Sequence, residues 1–233
     1  MSNKNLSFLP KHIWIIMDGN RRWAKQRHLP KIMGHKVWAD NVVKITNIVE
    51  KIWTKYLTLW ALSVDNLNKR DPGEVEAIIK LVNSIEKYLD KMQIENLKFE
   101  TIWDISKLPK ESREILQKVK DKTKNNTWIT LILALIYWGQ DEIVRATKKI
   151  ISSWLDPEKL DREEFRKFTD SWAFPKVDLI IRTGWDIRHS WFLLYDSEYS
   201  EYYFTDKKWP EFDEEELNKA INQYSSSKRN FWK

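Results

Sequence analysis

Asp18-Gly19-Asn20-Arg21-Arg22 follows directly on the apolar run Ile13–Met17 and opens into the helix-forming Trp23-Ala24-Lys25. A strand that delivers a carboxylate to a tight turn, followed by a helix start, can build two sites at once. The N–H groups of the first helical turn and the two guanidinium groups hold a phosphate. The carboxylate beside them holds the Mg²⁺ that phosphates commonly bring. The plainer reading is a strand, a glycine turn and a basic surface helix.

Other apolar runs end in chemically capable residues too. One ends at Ser63-Val64-Asp65-Asn66, followed by Lys69 and Arg70. Another ends at Arg182-Thr183-Gly184, with Arg188, His189 and Ser190 just beyond, and then Tyr199-Ser200-Glu201-Tyr202-Tyr203-Phe204. In an open α/β sheet, ligands bind at the carboxyl ends of the strands. Two arginine-bearing loops and two separate carboxylates suit more than one phosphate group and a metal, although any single arginine is more often a surface residue.

Competing templates are missing from the chain. There is no G-x-x-x-x-G-K-[ST] and no G-x-G-x-x-G. There is no G-x-S-x-G and no H-E-x-x-H. The four histidines, His12, His28, His35 and His189, lack metal-ligand spacing. His35 follows Gly34 and could donate a hydrogen bond to a phosphate, or be merely structural.

The elements that must position these residues alternate along the chain. Strands are expected at Ile13–Met17, Tyr56–Leu62, Leu97–Ile102, Ile129–Ile136 and Val177–Ile181, nearly continuous in apolar character, as in a parallel sheet covered on both faces. Helices are expected at Val37–Lys51, Glu74–Gln93, Lys110–Lys122, Gln140–Ser153, Asp161–Phe168 and Asp213–Tyr224. The alternation gives an α/β fold with a mostly parallel sheet flanked by helices, and no linker or repeat divides residues 1–233. Within 74–93, Val75, Ile78, Ile79, Val82, Ile85, Leu89 and Met92 make an apolar stripe. It reads either as core packing or as the wall of an apolar channel for a hydrocarbon substrate.

With 42% hydrophobic and 32% charged residues, 233 residues bury a substantial core. Met1–Pro10 lacks the apolar region of a signal peptide, and no apolar run approaches the ~18 residues that span a bilayer. Zero cysteines exclude thiolate metal sites and a cysteine nucleophile and fit a cytoplasmic setting. The net charge of +6 is dispersed, compatible with nucleic acid, anionic lipid or a polyanionic small substrate. The chain has 5 glycines and 14 tryptophans, where average usage of about 7% would give roughly 16 glycines. Trp103, Trp128 and Trp185 stand where a turn would ask for a small residue, so those turns are differently shaped or strained.

Together, His12–Lys25, Gly34-His35, Tyr56–Asn66, Tyr137–Ile143, Asp178–Arg188 and Ser197–Pro210 give the chain a resemblance to the cis-prenyltransferases, the undecaprenyl and polyprenyl diphosphate synthases, over nearly its whole length. Arg21-Arg22 and Ser63–Leu67 look more like archaeal and eukaryotic members. The resemblance implies a single-domain sheet of about six strands with an apolar channel, and a cytoplasmic, Mg²⁺-dependent homodimer. Its reaction would extend an allylic prenyl diphosphate with isopentenyl diphosphate, making a lipid-carrier precursor, with peripheral membrane contact for the product and no nucleic acid. A non-catalytic partner subunit of such a complex is the alternative.

Carried over by that resemblance, Asp18 binds Mg²⁺ and assists departure of the allylic diphosphate, which Gly19, Asn20, Arg21, Arg22 and His35 hold. Trp23 packs on the prenyl chain. Lys31 stands where many members have arginine, giving a point charge in place of a fork. Ser63, Val64, Asp65, Asn66, Leu67 and Lys69 line the reacting centre, with Asn66 assigned to proton removal. Arg182, Arg188, His189 and Ser190 hold isopentenyl diphosphate, and Glu201, from this chain or a partner subunit, completes the metal site. The family has glycine or another small residue where this chain has Trp38, Trp53, Trp103, Trp128, Trp138 and Trp185, while Trp14 and Trp191 replace small or polar residues. Trp185 and Trp191 are therefore expected to crowd the isopentenyl diphosphate half.

Overall fold

Ile13 and Ile15 of strand β1 (His12–Ile16) pack into one core cluster while Trp14 and Ile16 pack into another. A strand covered on both faces keeps the period of two but needs no polar face, hence its unbroken apolar sequence. The computed structural model describes residues 9–102 and 105–227, without the side chains of Ile32, His35, Asp65 and Asn66. In it, β1 is joined by β2 (Tyr56–Ser63), β3 (Leu97–Ile102), β4 (Ile129–Tyr137), β5 (Leu179–Arg182) and β6 (Glu201–Phe204). The order is β3-β4-β2-β1-β5-β6 and every neighbouring pair is parallel.

The helices are α1 (Asn20–Gln26), α2 (Lys31–Lys51), α3 (Val64–Lys69), α4 (Pro72–Asn83), α5 (Leu89–Ile94), α6 (Lys110–Thr123), α7 (Gly139–Ser152), α8 (Arg162–Arg166) and α9 (Glu214–Ser226). Ile45 of α2, Val82 of α4, Leu116 of α6 and Leu217 of α9 fill the cluster on the Ile13 face. Phe192, Leu193 and Phe174 close the Trp14 face. From β1 the chain winds towards β2, and from β5 it winds the other way to β6. The carboxyl ends of β1 and β5 therefore flank the point where winding reverses, the usual place for a ligand crevice.

Three departures from the sequence reading bear on the site. Helix α2 begins at Lys31 rather than near residue 37, running through Gly34, because a Cβ there would lie 2.4 Å from the Asn20 carbonyl oxygen. Only a glycine lets α2 lie this close to the start of α1. The stripe over 74–93 is not one helix: Asp71 caps α4 through the N–H groups of Gly73 and Glu74, and a 3₁₀ segment Ser84–Tyr88 separates it from α5. The Ser84 hydroxyl donates to the Leu81 carbonyl at 2.6 Å, a back-bond that competes with regular helix and bends the element. The sixth strand, β6, is a half-buried edge strand of four residues, too short to announce itself beside the five apolar runs.

Candidate active site

The turn after β1 is built on two close backbone approaches. Gly19 has φ 97° and a Cβ there would come within 2.8 Å of the Lys208 Cβ; Gly184 has φ 91° and would meet the Asp18 carbonyl carbon at 2.9 Å. Glycine at 184 lets the ends of β1 and β5 touch, and glycine at 19 admits the chain at Lys208. They are then pinned: the Asp18 N–H donates to the Thr183 hydroxyl at 2.9 Å, and that hydroxyl donates to the Asp18 carbonyl at 2.8 Å. No side chain caps the N-terminus of α1 and no acidic residue lies in its first turn, so its N–H groups face the crevice available to an anion.

Asp18 is the meeting point of the two strand ends. Its Oδ1 accepts from the Gly19 N–H at 2.6 Å, and its Oδ2 accepts from Arg182 Nη2 at 2.9 Å. Arg22 Nη2 lies 3.2 Å from Oδ1. Arg182 is nearly buried, with a side chain 5% exposed. Its Nη1 donates to the Arg188 carbonyl at 2.6 Å and to the Ser190 hydroxyl at 2.5 Å. Arg182 thus clamps the 186–190 turn to Asp18.

Sequence reasoning passed over one member of the cluster, Asp186. Its carboxylate accepts from Arg22 Nη2 at 2.9 Å and from Arg188 Nη1 at 2.8 Å, so it spaces two arginines that would otherwise repel. Burial raises its pKa, but Arg188, Arg22 and Arg182 outweigh burial and hold it below the usual aspartate value. No signal in its type or spacing sets it apart in the sequence.

Asp18, Arg22, Arg182, Arg188 and Ser190 line a cleft of about 930 Å³ bounded by the ends of β1, β2 and β5. Seven cationic side chains reach it, Arg21, Arg22, Lys25, Lys31, Arg70, Arg182 and Arg188, against one carboxylate, Asp18. Such a field favours polyanions. On its far wall Glu74 holds Arg70 at 3.1 Å and Arg21 at 3.8 Å. Burial, ahead of the neighbouring charges, lowers the pKa of Arg70. Three residues of its lining carry a buried polar atom that makes no hydrogen bond: Arg182 Nε, Asn20 Oδ1 and Trp60 Nε1.

A smaller apolar pocket of about 70 Å³ lies beside the cleft, lined by Val42, Val43 and Thr46 of α2, by Leu81, Val82, Ile85 and Tyr88, and by Leu131 and Leu133. Trp38 lines both spaces and stands between them, buried, its Nε1 donating to Met17 Sδ at 3.1 Å. The apolar stripe over 74–93 therefore serves both readings at once: Ile78 and Ile85 pack in the core, and Leu81 and Tyr88 wall the pocket.

The structure gathers Asp18, Gly19, Asn20, Arg21, Arg22, Lys31, Ser63, Arg182, Arg188 and Ser190 around the cleft. Val64 and Leu67 pack against the core instead. Lys69 is exposed while its neighbour Arg70 lines the cleft, so Arg70 takes the place expected for Lys69. Trp23 lies under Arg27, whose guanidinium sits 4.5 Å from the ring. His189 turns away, accepting from the Trp191 N–H at 3.1 Å. The side chains of His35, Asp65 and Asn66, and the whole of Trp103, lie outside the described residues. Trp185, at φ 84°, bears out the strain expected of its turn, whereas Trp128 is not among the residues at positive φ.

Glu201 does not approach Asp18 within one chain. It pairs with Leu179, which pairs with Ile13, at the opposite end of the strands from Arg182. That is roughly 10 Å along the sheet and roughly 10 Å across it, and its carboxylate accepts from the Ser227 hydroxyl. Among the described residues, no three His, Asp or Glu side chains cluster to hold a metal. Asp18, one-third exposed at the cleft, fits an ion that takes one or two carboxylates and otherwise uses waters and substrate phosphates, as Mg²⁺ does.

Comparison with known proteins places this geometry. The family model of undecaprenyl diphosphate synthase matches residues 16–232. An isoprenyl transferase of Clostridium tetani is 41% identical over 232 residues, covering 97% of this chain and 91% of its own. The ditrans,polycis-undecaprenyl-diphosphate synthase of Micrococcus luteus, specific for (2E,6E)-farnesyl diphosphate, is 38% identical over 99% of this chain and 94% of its own. Lavandulyl diphosphate synthase from Lavandula x intermedia, solved with dimethylallyl diphosphate, superposes with a TM-score of 0.92 at 28% identity, covering 96% of this chain and 98% of that one. A probable undecaprenyl diphosphate synthase from Campylobacter jejuni gives 0.79 at 28% identity, covering 95% and 97%. The chain belongs to the undecaprenyl diphosphate synthase family of prenyltransferases.

Proposed function

We propose that this chain condenses isopentenyl diphosphate with an allylic prenyl diphosphate in the cleft between β1 and β5. The observation that carries the reading is the Asp18–Arg182 contact, which joins an uncapped helix start on one side to an arginine turn on the other. One diphosphate would sit on the α1 N–H groups with Arg21, Arg22 and Lys31. A second would sit on Arg188 and Ser190, beside the Arg182 guanidinium that holds their turn.

The allylic C–O bond breaks with its electron pair leaving on diphosphate. The double bond of isopentenyl diphosphate supplies the electrons of the new C–C bond, and the proton lost restores a double bond. Negative charge grows on the leaving diphosphate, so donors fixed around it stabilise the transition state more than the ground state. Asp18 would hold Mg²⁺, which when bound neutralises that charge. Asn66 is assigned the proton removal. The apolar pocket beyond Trp38 shelters the growing chain from water. A second copy supplying Glu201 would complete the metal site, since this chain's own Glu201 stands at the wrong end of the sheet. Peripheral membrane contact belongs to release of a long product.

The relatives' names support an enzyme, and nothing in them favours a non-catalytic subunit. Incubation with labelled isopentenyl diphosphate and farnesyl, geranylgeranyl or dimethylallyl diphosphate, followed by chromatography of the products, tests the reading. Incorporation that needs both substrates and Mg²⁺ supports it; absence of incorporation with every primer contradicts it.

A further inference from the structure

Nine described non-glycine residues have left-handed backbone, and four of them are tryptophan: Trp53 at φ 66°, Trp154 at 57°, Trp185 at 84° and Trp191 at 61°. Tryptophan is 14 of 233 residues, so composition alone would put about half a tryptophan, on average, among nine positions. It is also a poor choice there, since a bulky side chain at positive φ meets the backbone, while glycine meets nothing.

Two of the four stand where helices end. Trp53 follows the C-cap of α2, Ile52, and Trp154 follows the C-cap of α7, Ser153. That first residue beyond a helix is the position most strongly reserved for glycine. The corresponding residue after α5 is Asn96, at φ 51°, the usual second choice. The other two lie in the turn that carries Arg188, and Trp185 directly follows Gly184, itself at φ 91°.

Packing offsets little of the strain, although Trp53 meets the Trp128 ring and Trp191 the His189 ring. Trp154 is 94% exposed, Trp185 73%, Trp53 57% and Trp191 42%. By contrast Trp209 is fully buried, has ordinary backbone and donates through Nε1 to the Trp38 carbonyl at 3.1 Å. The tryptophans therefore fall into two kinds, those the fold uses and those it only accommodates. With 5 glycines in the whole chain, the missing glycines and the surplus tryptophans are the same anomaly.

We infer that positions 53, 154, 185 and 191 are glycine positions, and that the cell making this protein inserts glycine there. UGA is a stop codon in the standard code, tryptophan in some bacterial codes and glycine in others; UGG is tryptophan in all of these. The gene then has UGA at the four positions and UGG at Trp209. Neither indole is among the residues lining the cleft, so the crowding expected of Trp185 and Trp191 is not seen there; glycine at 185 and 191 would instead relax the backbone of the turn that carries Arg188.

The codons and the peptide masses of the protein purified from its own cell decide the matter. UGA at the four positions, with peptides lighter by the difference between an indolylmethyl group and a hydrogen, is the expected result. UGG at these positions, or tryptophan masses there, overturns it. A separate comparison of the two recombinant forms tests the conformational premise. The four-glycine form is expected to melt higher by roughly 2–4 °C per site, since each left-handed bulky residue is relieved. Equal melting temperatures would overturn the premise, whatever either form catalyses, so the test is independent of the proposed reaction.

Discussion

Replacing Arg182 with lysine isolates the geometry of the guanidinium from its charge. Arg182 uses Nη1 for the Arg188 carbonyl and the Ser190 hydroxyl and Nη2 for Asp18. A lysine ammonium keeps the charge but concentrates its donors at one point, so it serves either Asp18 or the 188–190 turn. At least one charge-assisted bond is lost, worth about 1.5–3 kcal/mol, and the Arg188 turn is held less firmly. With the upper end of that range expressed in the transition state, about 3 kcal/mol is removed, and kcat/KM should fall by roughly 10²-fold. The fold should persist, because Asp18 keeps Arg22 at 3.2 Å and stays one-third exposed to water. Initial rates with labelled isopentenyl diphosphate, taken beside a thermal melt, measure both quantities. A folded Arg182→Lys protein within threefold of the parent kcat/KM would refute the clamp.

Asp186→Asn should raise KM for isopentenyl diphosphate roughly tenfold with a smaller change in kcat, because Arg22 and Arg188 lose the carboxylate that spaces them; steady-state kinetics showing unchanged KM would count against this. Trp38→Gly should join the apolar pocket to the cleft and lengthen the products, read by chromatography, and an unchanged product distribution would mean the chain takes another route. His12 is fully buried, its ring held by the Pro175 carbonyl and the Thr58 hydroxyl, and burial lowers its pKa to about 4. The unfolded chain takes up this proton near pH 6.5 and the folded chain only near 4, so stability falls as pH drops through that window. By pH 5 the loss is about 2 kcal/mol; urea melts at pH 7 and pH 5 should show it, and His12→Gln should be less sensitive over the same range.

The catalytic end of the sheet is legible in the sequence because parallel strands buried on both faces read as apolar runs, and the residues just past each run fall at the ligand crevice. Asp18, Arg182 and Ser190 can be found that way. Asp186 cannot, since nothing in its type or spacing separates it from a surface aspartate until Arg22 is seen to reach it. Lys69 and Arg70 are neighbours of equal charge, and only the turn of α3 decides which faces the cleft. Glu201 cannot be placed relative to Asp18 from sequence, because β6 is short and its register is set by pairing with β5. The start of α2 is hidden by Gly34, a residue that weakens a helical pattern, although its missing Cβ is what lets two helices meet.

The decisive measurement is Asp18-dependent transfer. The chain and its four-glycine counterpart, each with and without Asp18→Asn, are given farnesyl diphosphate, Mg²⁺ and labelled isopentenyl diphosphate, and label in the lipid extract is counted. Incorporation is expected, faster in the four-glycine form, with a loss of at least roughly 10²-fold on Asp18→Asn in either background. Incorporation undiminished by Asp18→Asn, or none from either folded parent, would overturn the assignment of the cleft.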